Sequence, residues 1–220
     1  MKKIDILGHG NVPLSIILDI IFFLFGNNSA IRIIKNIEVN DNTPFKIDEL
    51  PYTVISSCKW RPASLNMIIM GVMKTGNKRT VYDYFFREHN IDFKRYSNLI
   101  HPNTSIAKTT ILGNGIHCSA GVVTGPYSEI CDLVTINRNV SIGHHTKISN
   151  FCSLNPGSNI AGFCDIGEGA TIGMGANIID GITIGNNTVI GAGSLVTKDI
   201  PENVIAYGIP VKVVRENKDS

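Results

Sequence analysis

An aliphatic residue returns every six positions along more than half of this chain, without a slip. The series begins at Ile100, Ile106 and Leu112 and ends at Ile184, Ile190 and Val196; only Cys118 and Thr124 break the aliphatic identity of its seventeen positions. Such a repeat decides the fold before local propensity does. Six residues match neither the period of a helix face nor that of an alternating strand. They match a short strand plus a corner. The aliphatic position i fills the interior. Position i+4 also points inward and is small, as at Thr110, Val122, Val134, Thr146, Ser158, Ala170 and Thr188. Three such sides close one triangular coil, and stacked coils pair as parallel strands about 4.8 Å apart. Seventeen hexads therefore predict a prism of between five and six coils. Glycine follows the aliphatic residue at 113, 125, 143, 167, 173, 185 and 191. There it is expected to supply corner dihedrals closed to other residues.

The register sorts the cysteines. Cys118 falls at an i position, and Cys152 and Cys164 fall at i+4, so all three read as core fillers. With Cys58 and Cys131 the count is odd, there is no CxxC pair, and no zinc site is expected. These features, with no signal-peptide pattern, point to a reducing cytoplasmic setting. The net charge of +2 and the scattered basic residues give no nucleic-acid stripe. Val12–Phe25 (VPLSIILDIIFFLF) is apolar but short for a membrane span and carries Asp19, so it reads as a buried helix. No membrane or nucleic-acid partner is expected.

Residues 1–98 read as a different unit. Lys3–Leu7 is a short apolar strand that runs through Gly8-His9-Gly10-Asn11 into the apolar helix, the opening of a nucleotide-binding βαβ unit without the full GxGxxG spacing. Ile31–Val39, Tyr52–Ser56, Met67–Met70 and Ile91–Tyr96 are further strand candidates, and Asn77–His89 a helix. The expected architecture is an α/β, Rossmann-like parallel-sheet domain over 1–98, then a β domain of hexapeptide repeats over 99–220. Ligands on parallel sheets lie at the carboxyl ends of the strands. That rule places Gly8, His9, Gly10, Asn40, Asp41 and Gly71 around one crevice. The charged segment Val211–Ser220 is expected to fray or to cover the last coil.

The motifs GHG at 8–10, IHPNTSIA at 100–107, SIGHHTKIS at 141–149, NPGSNIAG at 155–162 and IGEGATIGMGANI at 166–178 resemble the NeuD/PglD family, which acetylates sialic acids and nucleotide-linked amino sugars. The tail TIGNNTVIGAGSLVTKDIPENVIAYGIPVKVV is similar to hexapeptide acyltransferases more broadly. The resemblance implies a left-handed coil, a homotrimer, and acetyl-CoA lying in the cleft between neighbouring subunits, with no metal. It implies N-acetylation of a nucleotide-linked 4-amino-4,6-dideoxyhexose for a surface glycan such as O-antigen.

The family's general base is the histidine of the IGH segment, here His144, a residue type suited to proton transfer near neutrality. Two departures are plain. The family's acid after this histidine is replaced by His145, which leaves a backbone carbonyl or another residue to orient the base. A second family histidine, nine positions on and near the CoA, is replaced by Ser153. By the resemblance, Asn137 lies near the acceptor sugar, although it equally suits a solvated corner. Gly162, Met174 and Ala192 match backbone contacts to acetyl-CoA, with Gly162 the candidate oxyanion donor. Pro210 and Lys212 fall near the adenosine end. Gly8, His9 and Gly10 would approach the sugar-nucleotide phosphates, with Asn40 and Asp41 at the base or ribose. A second register aligns Gly8-His9-Gly10-Asn11 with a GxGGH pattern and moves the histidine position onto Val12. The other readings are O-acetylation of a sialic-acid-type sugar, an inactive nucleotide-sugar-binding trimer, and a hexapeptide carbonic anhydrase. The last needs a histidine five residues after His144, where this chain has Ser149.

Overall fold

A computed structural model describes residues 1–8, 11–36 and 51–218. His9, Gly10, Asn40 and Asp41 lie outside the described residues. The N-terminal part contains β1 (Lys2–Leu7), α1 (Asn11–Phe25), β2 (Ser29–Lys35), β3 (Tyr52–Ser56), β4 (Met67–Met70) and α2 (Thr75–His89). Its sheet is parallel, in the order β3-β2-β1-β4. Alternation along β1 divides the core between the two faces. Ile4 and Ile6 meet Ile17, Leu18 and Ile21 of α1, and Leu7 packs on the other face with Trp60, Ile68, and Val81 and Phe85 of α2. α1 is buried along this stripe, but Phe22, Phe23 and Leu24 at its end are exposed. No helix among the described residues is long and apolar enough to cross a membrane.

Asp5, between the two isoleucines, is fully buried. Its carboxylate accepts hydrogen bonds from Arg32 at 2.6 and 2.8 Å, from Asn66 at 2.9 Å and from Trp60 at 3.2 Å. The side-chain hydrogen bond to Asp5 raises the pKa of Arg32. Buried charge is tolerated where it is paired and hydrogen-bonded in this way.

The strand expected at Ile91–Tyr96 does not form. Asn90 ends α2 in the left-handed region at φ 54, and the chain turns through a short 3-10 segment at Phe93–Arg95. Phe93 stacks on Tyr82 of α2, with ring centroids 4.2 Å apart, and only Tyr96 bridges to Ile68 in the sheet. Side-chain stacking on the helix thus outcompetes a sixth-residue ladder. The expected strand Ile31–Val39 corresponds to β2, which ends at Lys35; residues 37–39 lie outside the described residues.

Seventeen two-residue strands follow, from β5 (Leu99–Ile100) to β21 (Leu195–Val196), each ending on a hexad position i. They stack into three parallel faces. Face 1 carries β5 and every third strand after it, face 2 begins at β6 (Ser105–Ile106), and face 3 at β7 (Ile111–Leu112). The interior holds the i and i+4 side chains, including Cys118, Cys152 and Cys164. Burial pushes the thiols of Cys118 and Cys152 up to about 12, so they are inert packing groups. The tail does not fray over its described part. β22 (Val204–Gly208) extends face 1, and β23 (Val211–Glu216) pairs with it antiparallel.

The corner glycines serve a purpose other than the expected one. Left-handed backbone occurs at i+3, not i+1: Tyr127 (φ 59), Leu133 (54), His145 (54), Phe151 (62) and Phe163 (57) all occupy it. Glycine at i+1 instead permits close approach of the next coil. A Cβ on Gly143 would stand 2.4 Å from the carbonyl carbon of Ala161, and one on Gly125 2.5 Å from the amide of His144.

The two parts meet where α2 lies on face 1 and on the edge between faces 3 and 1. There the left-handed Leu133 and Phe151 are buried in the α2 cluster. Arg79 pairs with Glu168 and sits over the Phe151 ring at 4.9 Å. Lys78 is fully buried, and its ammonium donates to Cys152 O at 2.8 Å, Leu133 O at 3.0 Å and Thr135 Oγ1 at 3.2 Å. Burial pulls Lys78 down to about 7; the three acceptors match the three donors of its charged form.

Candidate active site

His144 stands at an exposed corner on the edge between faces 2 and 3, after β12 (Ser141–Ile142). Its Nδ1 lies 3.1 Å from Nδ1 of His145. Its ring lies against the backbone of Gly162, one coil up, where a Cβ would meet Cε1 at 2.7 Å and Nε2 at 2.9 Å. Phe163 presents itself edge-on at 4.9 Å. The side chain within hydrogen-bond distance of His144 is thus its own neighbour. His145 itself sits between two rings, stacked on Phe163 at 5.0 Å and tilted against Tyr127 at 5.1 Å. Tyr127, His145 and Phe163 follow one another at intervals of one coil and share the left-handed i+3 corner. Tyr127 and Phe163 are 63% and 60% exposed, so this aromatic ladder faces outward around His144.

The other candidates divide between sites. Gly162 shares the His144 edge, but its amide donates to the Asp180 carboxylate at 3.0 Å. That hydrogen bond occupies the N–H expected to serve an oxyanion. Met174 and Ala192 lie on a different edge, between faces 1 and 2, and so does Asn137. Pro210 and Lys212 lie in and beside the turn of the β22–β23 hairpin. The hairpin reaches the same edge where Tyr207 covers Gly191 and the Gly208 amide donates to Ser194. Ser153 belongs to neither edge. Its buried hydroxyl donates to Met73 O and accepts from Thr75 Oγ1, both at 2.9 Å, so it docks α2 onto face 1.

At the carboxyl ends of β1 and β4, Gly8 and Gly71 touch each other. Gly8 has φ 88, and a Cβ on Gly71 would stand 2.4 Å from Gly8 O. Below them, two clefts adjoin at Asn137. One, about 290 Å³, is lined by Met73, Lys74, Thr75, Ser153 and Asn155 among others. The other, about 340 Å³, runs between α1, at Asp19, and His101 and Ser119. Lys74 and Thr75 were not marked by any sequence motif; the loop after Gly71 places them there. A larger open cleft of about 660 Å³ on face 3, beside Arg79 and Lys147, holds neither His144 nor Asn137.

His101 packs on Phe23 of α1. His117 is buried beneath the N-terminal part, with Nε2 3.2 Å from Ser119 Oγ and Nδ1 unpartnered, and burial, reinforced by Lys78, pushes it down to about 3. Among the described residues no cluster of three or more His, Cys, Asp or Glu could hold a metal ion.

Residues 163–198 match the model of the bacterial transferase hexapeptide (six repeats). The galactoside O-acetyltransferase of Escherichia coli (strain K12) is 57% identical over 121 residues, which cover 55% of this chain and 42% of that protein. The chain thus spans less than half the length of that curated relative. Among solved structures, the acetyltransferase domain of PglB from Neisseria gonorrhoeae FA1090, in complex with acetyl coenzyme A, superposes with a TM-score of 0.80. It is 23% identical, with 97% of this chain and 99% of that one covered. A mutant of perosamine N-acetyltransferase from Caulobacter crescentus, in complex with CoA and GDP-perosamine, gives 0.75 at 25% identity, with 98% of both chains covered. The fold expected from the motifs therefore holds: this is a hexapeptide-repeat chain with a Rossmann-like sheet joined to a left-handed parallel β-helix, the fold of the acetyltransferase structures it matches.

Proposed function

We propose that the protein is an acetyl-CoA-dependent N-acetyltransferase acting on the 4-amino group of a nucleotide-linked 4-amino-4,6-dideoxyhexose, with His144 as general base. Residues 1–98 would hold the nucleotide sugar and residues 99–220 the acyl donor. The observation that carries this reading is the full-length likeness, sheet domain included, to two acetyltransferase structures, one of them holding CoA and a nucleotide-linked amino sugar. An exposed, well-oriented imidazole at the family's base position fits it. In the reaction, the amine nitrogen attacks the thioester carbonyl as Nε2 of His144 takes its proton. The C–N bond forms, the C–S bond breaks, and the proton passes to the departing CoA thiolate.

A homotrimer belongs to this proposal. The clefts that adjoin at Asn137 lie on the side of face 1, whereas His144 lies on the opposite edge of the prism. Six residues of extended chain, about 20 Å, separate one edge from the next. A sugar in the crevice of one copy would meet His144 of its neighbour. Acetyl-CoA in that cleft would touch Gly162 of one copy and Met174, Ala192, Pro210 and Lys212 of the other. The amides of Met174 and Ala192 have no acceptor among the described residues, which suits them to the pantetheine arm.

The test is to follow free thiol with acetyl-CoA and UDP-, dTDP- or GDP-linked 4-amino sugars. Turnover of one, lost in His144→Ala, is the expected result. O-acetylation is the second reading, favoured by the identity to a galactoside O-acetyltransferase. Turnover of a galactoside or free sialic acid, with none of the amino sugars accepted, would replace the first reading with it.

A further inference from the structure

We infer that His145 is the positioning residue for His144: a neutral imidazole that accepts the Nδ1 proton of the base in place of a carboxylate. This rests on the reading of His144 as general base. Two Nδ1 atoms 3.1 Å apart hold one proton between them, so one ring donates and the other accepts. If His145 donated, His144 would carry its proton on Nε2 and present no lone pair to an amine. The working arrangement is the reverse. His144 donates from Nδ1, which leaves Nε2 basic, and His145 accepts with its own proton on Nε2. Which nitrogen of a histidine is basic is set by the hydrogen bond at the other.

Two further observations make His145 suited to the task. It takes the left-handed corner, φ 54, next to His144 at the prism edge, with its Nδ1 3.1 Å from that of His144. The rings of Tyr127 and Phe163 on the coils below and above then hold it at 5.1 and 5.0 Å. With Gly162 against the face of His144 and Phe163 at its edge, the base is confined on three sides. As Nε2 takes the substrate proton, the new imidazolium keeps its Nδ1–H donation to His145. No net negative charge is needed in the pair.

The chain itself supplies the control substitutions. Phenylalanine occupies the same corner conformation at 151 and 163, and asparagine at 139 and 187, so both are compatible with the backbone at 145. His145→Phe keeps the ring stack and removes the acceptor. His145→Asn keeps a δ-position acceptor and removes the ring. The experiment combines steady-state kinetics with ¹⁵N NMR of histidine-labelled full-length protein, the His144 signals being identified by their loss in His144→Gln. In the wild type His144 is expected as the Nδ1–H tautomer. In His145→Phe it should revert to Nε2–H, and kcat should fall about 10- to 100-fold with KM unchanged, whereas His145→Asn should keep the wild-type tautomer and stay within about threefold of wild-type kcat. A wild-type tautomer and rate in His145→Phe would overturn the inference. So would equal damage in both variants, which would assign the effect to the ring stack. If no acceptor is turned over by the wild type, the functional reading fails, but the tautomer comparison still decides the pairing.

Discussion

The backbone of Gly162 and the imidazole of His144 are in face contact: a Cβ at 162 would stand 2.7 Å from Cε1 and 2.9 Å from Nε2. The obstructed group is an exposed side chain, and Gly162 does not need left-handed backbone. Gly162→Ala should therefore turn His144 away and, with His144 as the proposed base, lower kcat by about 10- to 100-fold. Thermal unfolding should move by no more than about 0.5 kcal/mol. Kinetics and a melt on the same preparation check both halves.

Gly143→Ala should behave in the opposite way. Its Cβ would meet the backbone of Ala161 at 2.4 Å, and backbone cannot step aside without disturbing the coil spacing. We expect a loss of at least about 1–3 kcal/mol in urea unfolding, the usual cost of overpacking.

Asp5→Ala should cost about 3 kcal/mol, at the lower end for a broken buried pair because Arg32 is a third exposed and can recover solvent. The N–H groups of Trp60 and Asn66 would lose their acceptor. Denaturant titration measures this, and a shift of the Trp60 fluorescence transition would place the loss in the N-terminal sheet.

Two buried basic groups shape separate windows of the pH profile of stability. Lys78 has a folded pKa of about 7 against 10.5 unfolded. The unfolded chain binds more protons between those values, so stability should rise with pH across that window, by up to about 1.4 kcal/mol per unit. His117 falls from 6.5 to about 3 on folding; its contribution is full above 6.5 and is lost as pH drops toward 3. Lys78→Met should flatten the alkaline arm and soften the acidic one, because Lys78 helps hold His117 down, whereas His117→Phe should flatten the acidic arm alone, read from unfolding midpoints across pH.

Mixing tests the shared site. His144→Ala removes the proposed base from one edge, and Asn137→Trp fills the two clefts that adjoin at Asn137 on another edge of the same chain. Each should be inactive alone. Co-refolded, they should regain turnover, because some clefts would join an intact crevice to an intact His144. No recovery in mixed assemblies of proven composition would contradict a site built between copies.

Much of the coil was legible in advance because its period leaves one solution. Each of the seventeen hexad positions closes a strand, and Cys118, Cys152 and Cys164 are in the core where the register put them. The glycine rule was misread, since a sequence does not say whether glycine serves a dihedral or a near neighbour. Position i+3 held the dihedral, and Phe151 or His145 could bear it. The ladder Tyr127–His145–Phe163 did carry a signal, a spacing of eighteen, once the coil rather than the hexad is taken as the unit.

Periodicity is a one-dimensional property, and it settled which residues turn inward, how many coils stack and which corner holds His144. It had no access to what lies beside that corner, because contact between coils depends on how eighteen-residue turns superimpose and which rotamers survive there. Only the folded chain brings His145 Nδ1 to His144 Nδ1, gives the Gly162 amide to Asp180 and draws Ser153 under Thr75. The docking of α2 is of the same kind. Nothing in the string around Lys78 distinguishes it from a surface lysine; its three acceptors come from the coil, 55 to 74 residues further along the chain. Helix-to-coil packing chose them through long-range burial, which local sequence does not encode.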